Sequence, residues 1–525
     1  MKKILLLILV AITSFQIQAQ KEMNNWTFGT RVGLTWNTPR SVLLNGIEGT
    51  SDATLTGLPT TFRPGLNTYE GCFTISDSDG NLLFYSDGEK VWDKTHKIMP
   101  NGLGLTGDMS SAQSGIIFPY PGSKTKYVAV TLGVHDKNFP NTAYYSVIDM
   151  SLRENLGDVV ATEKNIELPN GVGAISESCT ATLAADGSYW IIAPGRGNPT
   201  QLNAWKFTKA GIAADPVVTI IPFETIVETE GVGAYGYIKV SHDNKYFAWG
   251  GPIIEKNITK LDNYKAIIVG NFDDVTGKFS NIRKIPNPGS TYGVEFSPSL
   301  KYLFTGGTDV FRAYDLKELV AGTTTSPLRE IATTISDPLG VFYTPQMATD
   351  NRLYILTDSS ISGGGLALID NPDEDPSIWK IYRIPKNFFP TGAESMNPQL
   401  GLPSFMSSWF AGKGKVQRFH CTGNSHNYGI TVEMSGTPSL LPVRLEWDFG
   451  DGTTKVNQPI VTGTNSYELP HSYLLPGKYV ITVTPYRASG TALDPIAIVA
   501  NTVDCVFQTN RMIRTDLLNS AQQKK

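Results

Sequence analysis

Short apolar runs, each of strand length and each closed by turn-forming residues, recur along most of this chain. The clearest instance runs from Ile75 to Asp93. Asp79-Gly80-Asn81 is a turn signal, because Gly takes positive φ cheaply while Asp and Asn bond their own backbone. Leu82 to Tyr85 is an apolar run of strand length, Asp87-Gly88 makes the next turn, and Val91 and Trp92 resume a β-prone run. The unit of turn, strand, tight turn and strand then repeats. Tyr189–Ile192 is followed by Asn203–Phe207, Tyr246–Trp249 by Ile267–Val269, Tyr302–Phe304 by Phe311–Asp315, and Leu353–Leu356 by Leu366–Ile369. Tyr127–Val130 with Tyr144–Asp149 is a copy with a longer insertion. The copies lie about 45–60 residues apart, near the period of propeller blades. No copy can bury both faces of its strands alone, so the copies must stack.

A half-copy stands at the start: Trp26–Gly29, then Gly33–Trp36. Its missing strand is expected from Ser404–Phe410, so that both chain ends share one blade and the ring has no open edge. The chain therefore reads as all-β, with a seven-bladed β-propeller (six-bladed in the alternative count) over residues 20–410. A small, charged linker at 411–415, a second β unit at 416–507 and a tail at 508–525 follow.

Composition fits this reading. The 525 residues suggest more than one domain, and 41% hydrophobic residues with 50 Gly and 32 Pro suit a turn-rich β protein. Charged residues make up 18%, without a basic patch of the kind that binds nucleic acid. Residues 1–19 read as a secretory leader, with Lys2-Lys3 as the charged start, Ile4–Ile12 as the apolar stretch and Ala19 as the small residue before the cut. Losing Lys2 and Lys3 takes the formal charge from −4 to −6. No later segment reads as transmembrane. Four cysteines in an exported chain raise the question of disulfides. Cys421 and Cys505 fall in the first and last strands of the second unit and form the candidate bridge. Cys72 and Cys179 lie in different blades and read as small buried hydrophobes.

The second unit alternates apolar and polar residues at Arg444–Phe449 and Tyr479–Thr484, the pattern of half-buried strands in a small sandwich. Trp447-Asp448-Phe449-Gly450-Asp451-Gly452-Thr453, followed by His471-Ser472-Tyr473 and Gly477–Val483, resembles the PKD domain. That resemblance implies an immunoglobulin-like β-sandwich of the kind used on secreted and surface proteins as a spacer or recognition module. Further motifs are Asn25–Gly29, Glu70-Gly71-Cys72, Asp87-Gly88 with Val91-Trp92, Met99–Gly102, Ser110–Ser114 and Leu400–Phe405. In these the chain is similar to the propeller region of exported Bacteroidota proteins, often joined to PKD modules and tied to gliding motility or type IX secretion. The resemblance implies a cell-surface, extracellular or periplasmic location. Proteins of that kind often end in a sorting domain, and the tail from Asn510 does not read as one.

The candidate chemistry is sparse. Asp77, Asp79, Asn81 and Asp87 read as turn residues, since their spacing completes no calcium loop. Ser86–Trp92 departs in spacing from the sialidase Asp box. Asp448 and Asp451 are expected to bond turn amides. The six histidines lack metal-ligand spacing, and no cofactor motif is present. Two classes of function remain. The first is a non-catalytic binding or scaffold protein that presents propeller loops to an envelope protein or surface glycan. The alternative is a propeller glycosidase or polysaccharide lyase, for which Glu70, Glu177, Glu295 and Asp309 are the candidate acids.

Overall fold

The computed structural model describes residues 21–515 except 135–141, 173, 197–199, 223–235, 253–264, 287–290, 309, 333–335, 337–339, 359–363, 391–395, 411–419, 424, 433–440, 462–463, 465, 476, 494, 504 and 507–513. The expected leader, the linker and nearly all of the tail lie outside the described residues. Strands account for 53% of the structure and helix for 4%, so the protein is all-β.

The chain opens with β1 (Asn25–Phe28), β2 (Val32–Ile47) and β3 (Ala53–Phe62), paired antiparallel with β2 in the middle. The stretch around Ile75 follows as a four-stranded sheet of β4 (Phe73–Ser76), β5 (Leu82–Ser86), β6 (Lys90–Asp93) and β7 (Ile98–Leu103). Its turns obey the residues. Asp77 Oδ1 accepts the N–H groups of Asp79 and Asn81, each at 2.9 Å, and Gly80 sits at φ 90°, where a side chain would be strained. Asp87 Oδ1 accepts from Glu89 and Lys90 in the same way.

Five more antiparallel sheets come in chain order. The first joins β8 (Gly115–Pro119), β9 (Lys126–Leu132), β10 (Ala143–Asp149), β11 (Asp158–Val159) and β12 (Ile166–Glu167). The second joins β13 (Ala174–Ile175), β14 (Thr180–Leu183), β15 (Tyr189–Arg196), β16 (Gln201–Thr208), β17 (Gly211–Ile212) and β18 (Val217–Ile220). The third joins β19 (Ile238–Val240), β20 (Tyr246–Pro252), β21 (Lys265–Asp273) and β22 (Lys278–Pro286). The fourth joins β23 (Gly293–Phe296), β24 (Tyr302–Gly306), β25 (Val310–Asp315) and, after the one-turn helix α1 (Leu316–Ala321), β26 (Arg329–Ala332). The fifth joins β27 (Val341–Met347), β28 (Leu353–Asp358), β29 (Gly365–Ile369) and β30 (Ile381–Ile384).

Strands such as β24 are buried at every position, which explains their continuous apolar runs: both faces are covered by neighbouring sheets. One cluster lies between the β19–β22 and β23–β26 sheets and includes Ile267, Val294 and Tyr314. The next, between β23–β26 and β27–β30, includes Phe304, Phe311 and Ile355. Edge strands meet in succession: β1 packs on β4, β4 on β8, β8 on β14, β14 on β19, β19 on β23, and β23 on β27. The succession returns on itself, because Tyr354 of β28 meets Trp26 at 5.7 Å and Trp36 at 5.5 Å between ring centroids.

Closure differs from the sequence expectation. Ser404–Phe410 supplies no strand: Ser407–Phe410 is a single 3-10 turn, and Ser404 to Met406 carry no regular structure. The last sheet is instead extended by the N-terminal hairpin, where Asn45, Gly46 and Ile47 of β2 pair with Arg383, Tyr382 and Ile381 of β30. The segment expected to be a strand runs among the inner edges of the sheets. Asn397 exchanges backbone hydrogen bonds with Thr30, Leu400 N–H donates to Tyr69 O at 3.0 Å, and Ser404 N–H donates to Cys72 O at 2.9 Å. Thr344 of β27 and Tyr237 before β19 donate to the carbonyls of Leu400 and Leu402. Leu402, Phe405 and Met406 are buried in the largest core cluster. An apolar, β-prone run surrounded on all sides has no free sheet edge to join, so its polar backbone is satisfied by single contacts from several sheets.

The C-terminal unit pairs two sheets. One holds β31 (His420–Cys421), β33 (Pro442–Asp448), β34 (Val456–Pro459), β36 (Gly477–Arg487) and β37 (Ile496–Val503), and the other pairs β32 (His426–Thr431) with β35 (Ser466–His471). Tyr428 and Ile430 from the small sheet meet Leu445, Trp447 and Ile481 from the large one in a core of their own.

Truncating the central side chain of the axial segment tests its role. Phe405→Ala is expected to cost about 3–5 kcal/mol in urea unfolding of the protein. Leu43→Ala, at an exposed hairpin position, should stay within about 0.5 kcal/mol of wild type. Equal midpoints for the two variants would contradict an axial segment that the ring leans on.

Candidate functional site

Chemistry gathers at the end of the ring where its inner-edge strands begin. Glu70 precedes β4, Glu177 precedes β14, Tyr237 precedes β19, Tyr292 precedes β23, and Tyr343 lies near the start of β27. Tyr292 stands between Tyr237 and Tyr343, with ring centroids 5.7 and 5.8 Å away. Below them the axial segment closes the ring: a Cβ on Gly401 would overlap Glu70 O, and Gly71 is pressed as closely on Ser114. Glycine at both positions is therefore a requirement of the close approach.

Glu70 and Glu177, two of the acids picked from sequence, converge here. Burial pushes the Glu70 carboxyl up to about 8, the Glu177 charge adds to the rise, and the neighbouring Tyr292 hydroxyl eases it. Tyr292 itself makes no hydrogen bond of ordinary geometry through its hydroxyl. Glu177 is held by backbone, with Ala112 N–H donating to its Oε2 at 3.1 Å. Asp108 adds a third negative charge near Glu70. A carboxyl neutral at pH 7 beside a fixed second carboxyl is able to donate a proton, and the same surface is able to hold a cationic or hydroxyl-bearing group.

Glu295 does not join them. It sits deeper, on β23, where Lys239 Nζ donates to it at 2.7 Å and to Gln346 at 2.7 Å. Met347 N–H and Phe296 N–H complete its shell. Burial holds the Lys239 ammonium below its ordinary range while Glu295 works the other way. This is a buried, satisfied ion pair, whose loss of one partner would be costly. Its partner Lys239 lies 56 positions away, so sequence spacing gave no sign of it. Asp309 lies outside the described residues.

Three strand ends lie at the same end. Gly115 of β8 pairs near Leu132, Ile238 of β19 opposes Trp249, and Val341 of β27 opposes Asp358, so the ends of β9, β20 and β28 stand beside the mouth. A cleft of about 470 Å³ lies elsewhere, between the tip of the β2–β3 hairpin and residues 377–382, with Arg329 and Lys380 on its wall.

In the C-terminal unit the motif residues act structurally. Trp447 and Phe449 are buried. Asp448 accepts Gly450 N–H at 3.0 Å and Asp451 accepts Thr453 N–H at 3.1 Å. Gly450 and Gly452 occupy φ 73° and 82°. His471, stacked on Phe449 at 3.9 Å, bonds Asp451 at 2.7 Å. β31 runs parallel to β37, with Cys421 beside Val503, two positions before Cys505. The side chains of Cys421 and Cys505 lie outside the described residues. Cys72 and Cys179 are free, buried thiols, both pushed up by burial.

No family model matches the chain, and no curated protein does. Among solved structures the chain is similar to a functionally unknown protein from Desulfotomaculum acetoxidans DSM 771, at 10% identity over 82% of this chain and 99% of that one, with a TM-score of 0.34. It is similar to Kuenenia stuttgartiensis hydrazine synthase at 12% identity, 68% and 98% coverage and a TM-score of 0.39. Kluyveromyces lactis Hsv2 matches at 10% identity, 69% and 98% coverage and a TM-score of 0.34. At these scores none of them assigns an activity.

The Glu70 environment predicts a pH dependence. Its folded value lies above the ordinary 4.5, so the stability it contributes is full below that and is lost as pH rises through about 8. Glu70→Gln removes this slope. In urea melts the variant should gain roughly 1–3 kcal/mol over wild type at pH 8.5 and little at pH 4.5. Parallel curves across this range would show that Glu70 titrates normally.

Proposed function

We propose that this is an exported, non-catalytic binding or scaffold protein of the cell envelope. In this reading the sheets are the blades of a seven-bladed propeller, with β1–β3 as the N-terminal blade, and a PKD-type sandwich serves as spacer or accessory recognition module. The carrying observation is that the axis is filled by the protein's own chain from Asn397 to Ser407. At the mouth stand phenols and carboxyls, with Tyr69 exposed beside them, a combination suited to a protein or glycan partner. Loops placed by a rigid scaffold are a common seat of binding. No helix among the described residues is long and apolar enough to cross a membrane.

The paired acids favour a second reading, a glycosidase or polysaccharide lyase in which Glu70 donates a proton and Glu177 stays charged. One set of assays separates the two. The mature chain is run on a glycan array and against envelope extract, beside a reducing-end and unsaturated-uronate assay on any glycan bound. Binding without product, weakened about tenfold or more by Tyr69→Ala at the exposed mouth, is the expected result. Product that disappears in Glu70→Gln would replace the binding reading by the enzymatic one.

The Cys421–Cys505 bridge belongs to the same proposal. Parallel pairing of β31 with β37 supports it by bringing the two ends of the unit together. Closing a loop of that length would stabilise the sandwich by roughly 4 kcal/mol in the chain-entropy model. Non-reducing peptide mapping of exported protein should recover the linked pair, and free thiols at both positions would refute it.

A further inference from the structure

Three inner-edge strands of successive sheets meet at a group that the binding reading leaves unused. Lys239 of β19, Glu295 of β23 and Gln346 of β27 are each 2% exposed or less. Lys239 Nζ donates to Glu295 Oε2 and to Gln346 Oε1, each at 2.7 Å. The Gln346 amide is oriented by its other end, where Nε2 donates to Met347 O at 3.1 Å. Glu295 is fixed as firmly: Oε1 accepts Phe296 N–H and Oε2 accepts Met347 N–H, both at 2.9 Å. A carbonyl carbon stands about 1.2 Å behind its oxygen, so Gln346 Cδ lies roughly 3–4 Å from Nζ. That overlaps the ~3–3.5 Å of a near-attack contact. Burial lowers the Lys239 ammonium against the pull of Glu295, and so favours the neutral amine that a nucleophile must be. An amine, an amide carbon and a carboxyl group are thus held in contact, away from water.

We propose that Lys239 and Gln346 join in an isopeptide bond, with Glu295 carrying the protons. Glu295 takes one proton from the Lys239 ammonium, and the free amine attacks Gln346 Cδ. The Glu295 carboxyl then protonates Nε2, the Cδ–Nε2 bond breaks and ammonia leaves. The proton shed by the new amide nitrogen returns to Glu295. An ammonium, a carboxylate and a primary amide become a secondary amide, a neutral acid and ammonia, with no oxidant, reductant or cofactor consumed. A cavity of about 20 Å³ lined by Glu295, Met347 and Ser407 offers the ammonia a place beside the reacting atoms. A water-sized molecule needs about 10–15 Å³. The reaction also discharges a buried ion pair, whose desolvation is costly. The product ties β19 of the third sheet to β27 of the fifth, across β23 of the fourth. It closes a loop between positions 107 apart, which restricts the unfolded chain as a long-range cross-link does.

The test reads the bond itself. The full chain is expressed, folded, kept at neutral pH for about a day, then unfolded, reduced and digested with trypsin. Tandem mass spectrometry is expected to find the peptide of Lys239 joined to that of Gln346, lighter by one ammonia than their sum. Cleavage after Lys239 should be lost in the linked species, since its side chain is no longer cationic. Gln346→Met keeps the ion pair but has no amide, and should give no link. Glu295→Gln removes the proton carrier and should slow linkage about a hundredfold or more. Should Glu295→Gln fail to fold, wild-type chains fresh from cell-free synthesis are split between buffer and urea. The link should then accrue in buffer and stay absent in urea, where no fold brings the three groups together. Folded wild-type protein that yields the two peptides only as separate species would overturn the proposal. So would linkage that is as fast in Glu295→Gln or in urea, or a bond from Lys239 to Glu295 with loss of water, which would make the carboxyl the acceptor.

Discussion

The backbone from Asn397 to Ser407 is the constraint on which the ring depends. It meets Thr30, Tyr69, Cys72, Tyr237 and Thr344, residues drawn from sheets far apart in sequence. Each contact satisfies one polar group, and where the segment is buried an unmade hydrogen bond costs more than a made one gains. Because these contacts are single and come from different sheets, the segment fixes how far each inner edge stands from the axis. Gly401 marks one close approach, of the segment to Glu70, and Gly71 another, between inner edges at Ser114: a methyl group at either would meet atoms at 2.0 to 2.2 Å. Phe405 adds apolar contact, lying 6.1 Å from Trp26 between centroids.

Closure at the rim follows a different physics. A sheet edge left open pairs with whatever edge it meets. Here β2, already paired with β3, runs long enough to serve two further partners, β1 with its first half and β30 with its second. The hairpin bends on the way, with register shifts against β3 between Thr35 and Val42. Irregularity of this kind turns a strand from one sheet direction to another. The rim and the axis are thus joined by one stretch of chain near the start and another near residue 400, and neither alone closes the structure.

Much of the fold was legible because its signals are local. Ile75–Asp93 carries its own turn residues, so Asp77 and Asp87 announce the turns that they cap. Tyr302–Phe304 and Leu353–Leu356 announce strands by continuous apolar runs. The Trp447–Thr453 motif likewise marks a strand and the turn after it. What failed was non-local. Ser404–Phe410 has strand composition, but its environment is decided by residues hundreds of positions away. The motifs Glu70–Cys72, Ser110–Ser114 and Leu400–Phe405 stood apart in sequence and come together at the axis, where Gly71 N–H bonds Ser111 O and Ser404 N–H bonds Cys72 O. Of the four candidate acids, Glu70 and Glu177 meet, while Glu295 is neutralised by a lysine whose role no spacing betrays. Glu22 drew no notice, since a single acid in a polar stretch looks like solvent-facing charge.

Glu22 and Glu70 share a consequence that neither has alone. Both carboxyls are raised chiefly by burial, and both have a second carboxylate beside them. Each therefore makes the folded state hold a proton that the unfolded chain has already released, through a window from about pH 4.5 to 7 for Glu22 and to 8 for Glu70. Over that window the two slopes have the same sign and add, provided the sites are independent. Their positions make independence reasonable: Glu22 lies against the end of β4 that follows Ser76, whereas Glu70 lies before its start. Half-buried Asp451 behaves oppositely, since Thr453 and His471 hold its carboxyl below the ordinary range against the pull of burial. Glu22 and Glu70 consequently answer acid in the direction opposite to Asp451, and to ring carboxyls such as Asp93, Asp149 and Asp186 that are also held below the ordinary range. Mild acid relieves the Glu22 and Glu70 charges, and only stronger acid protonates the carboxylate that caps the sandwich turn.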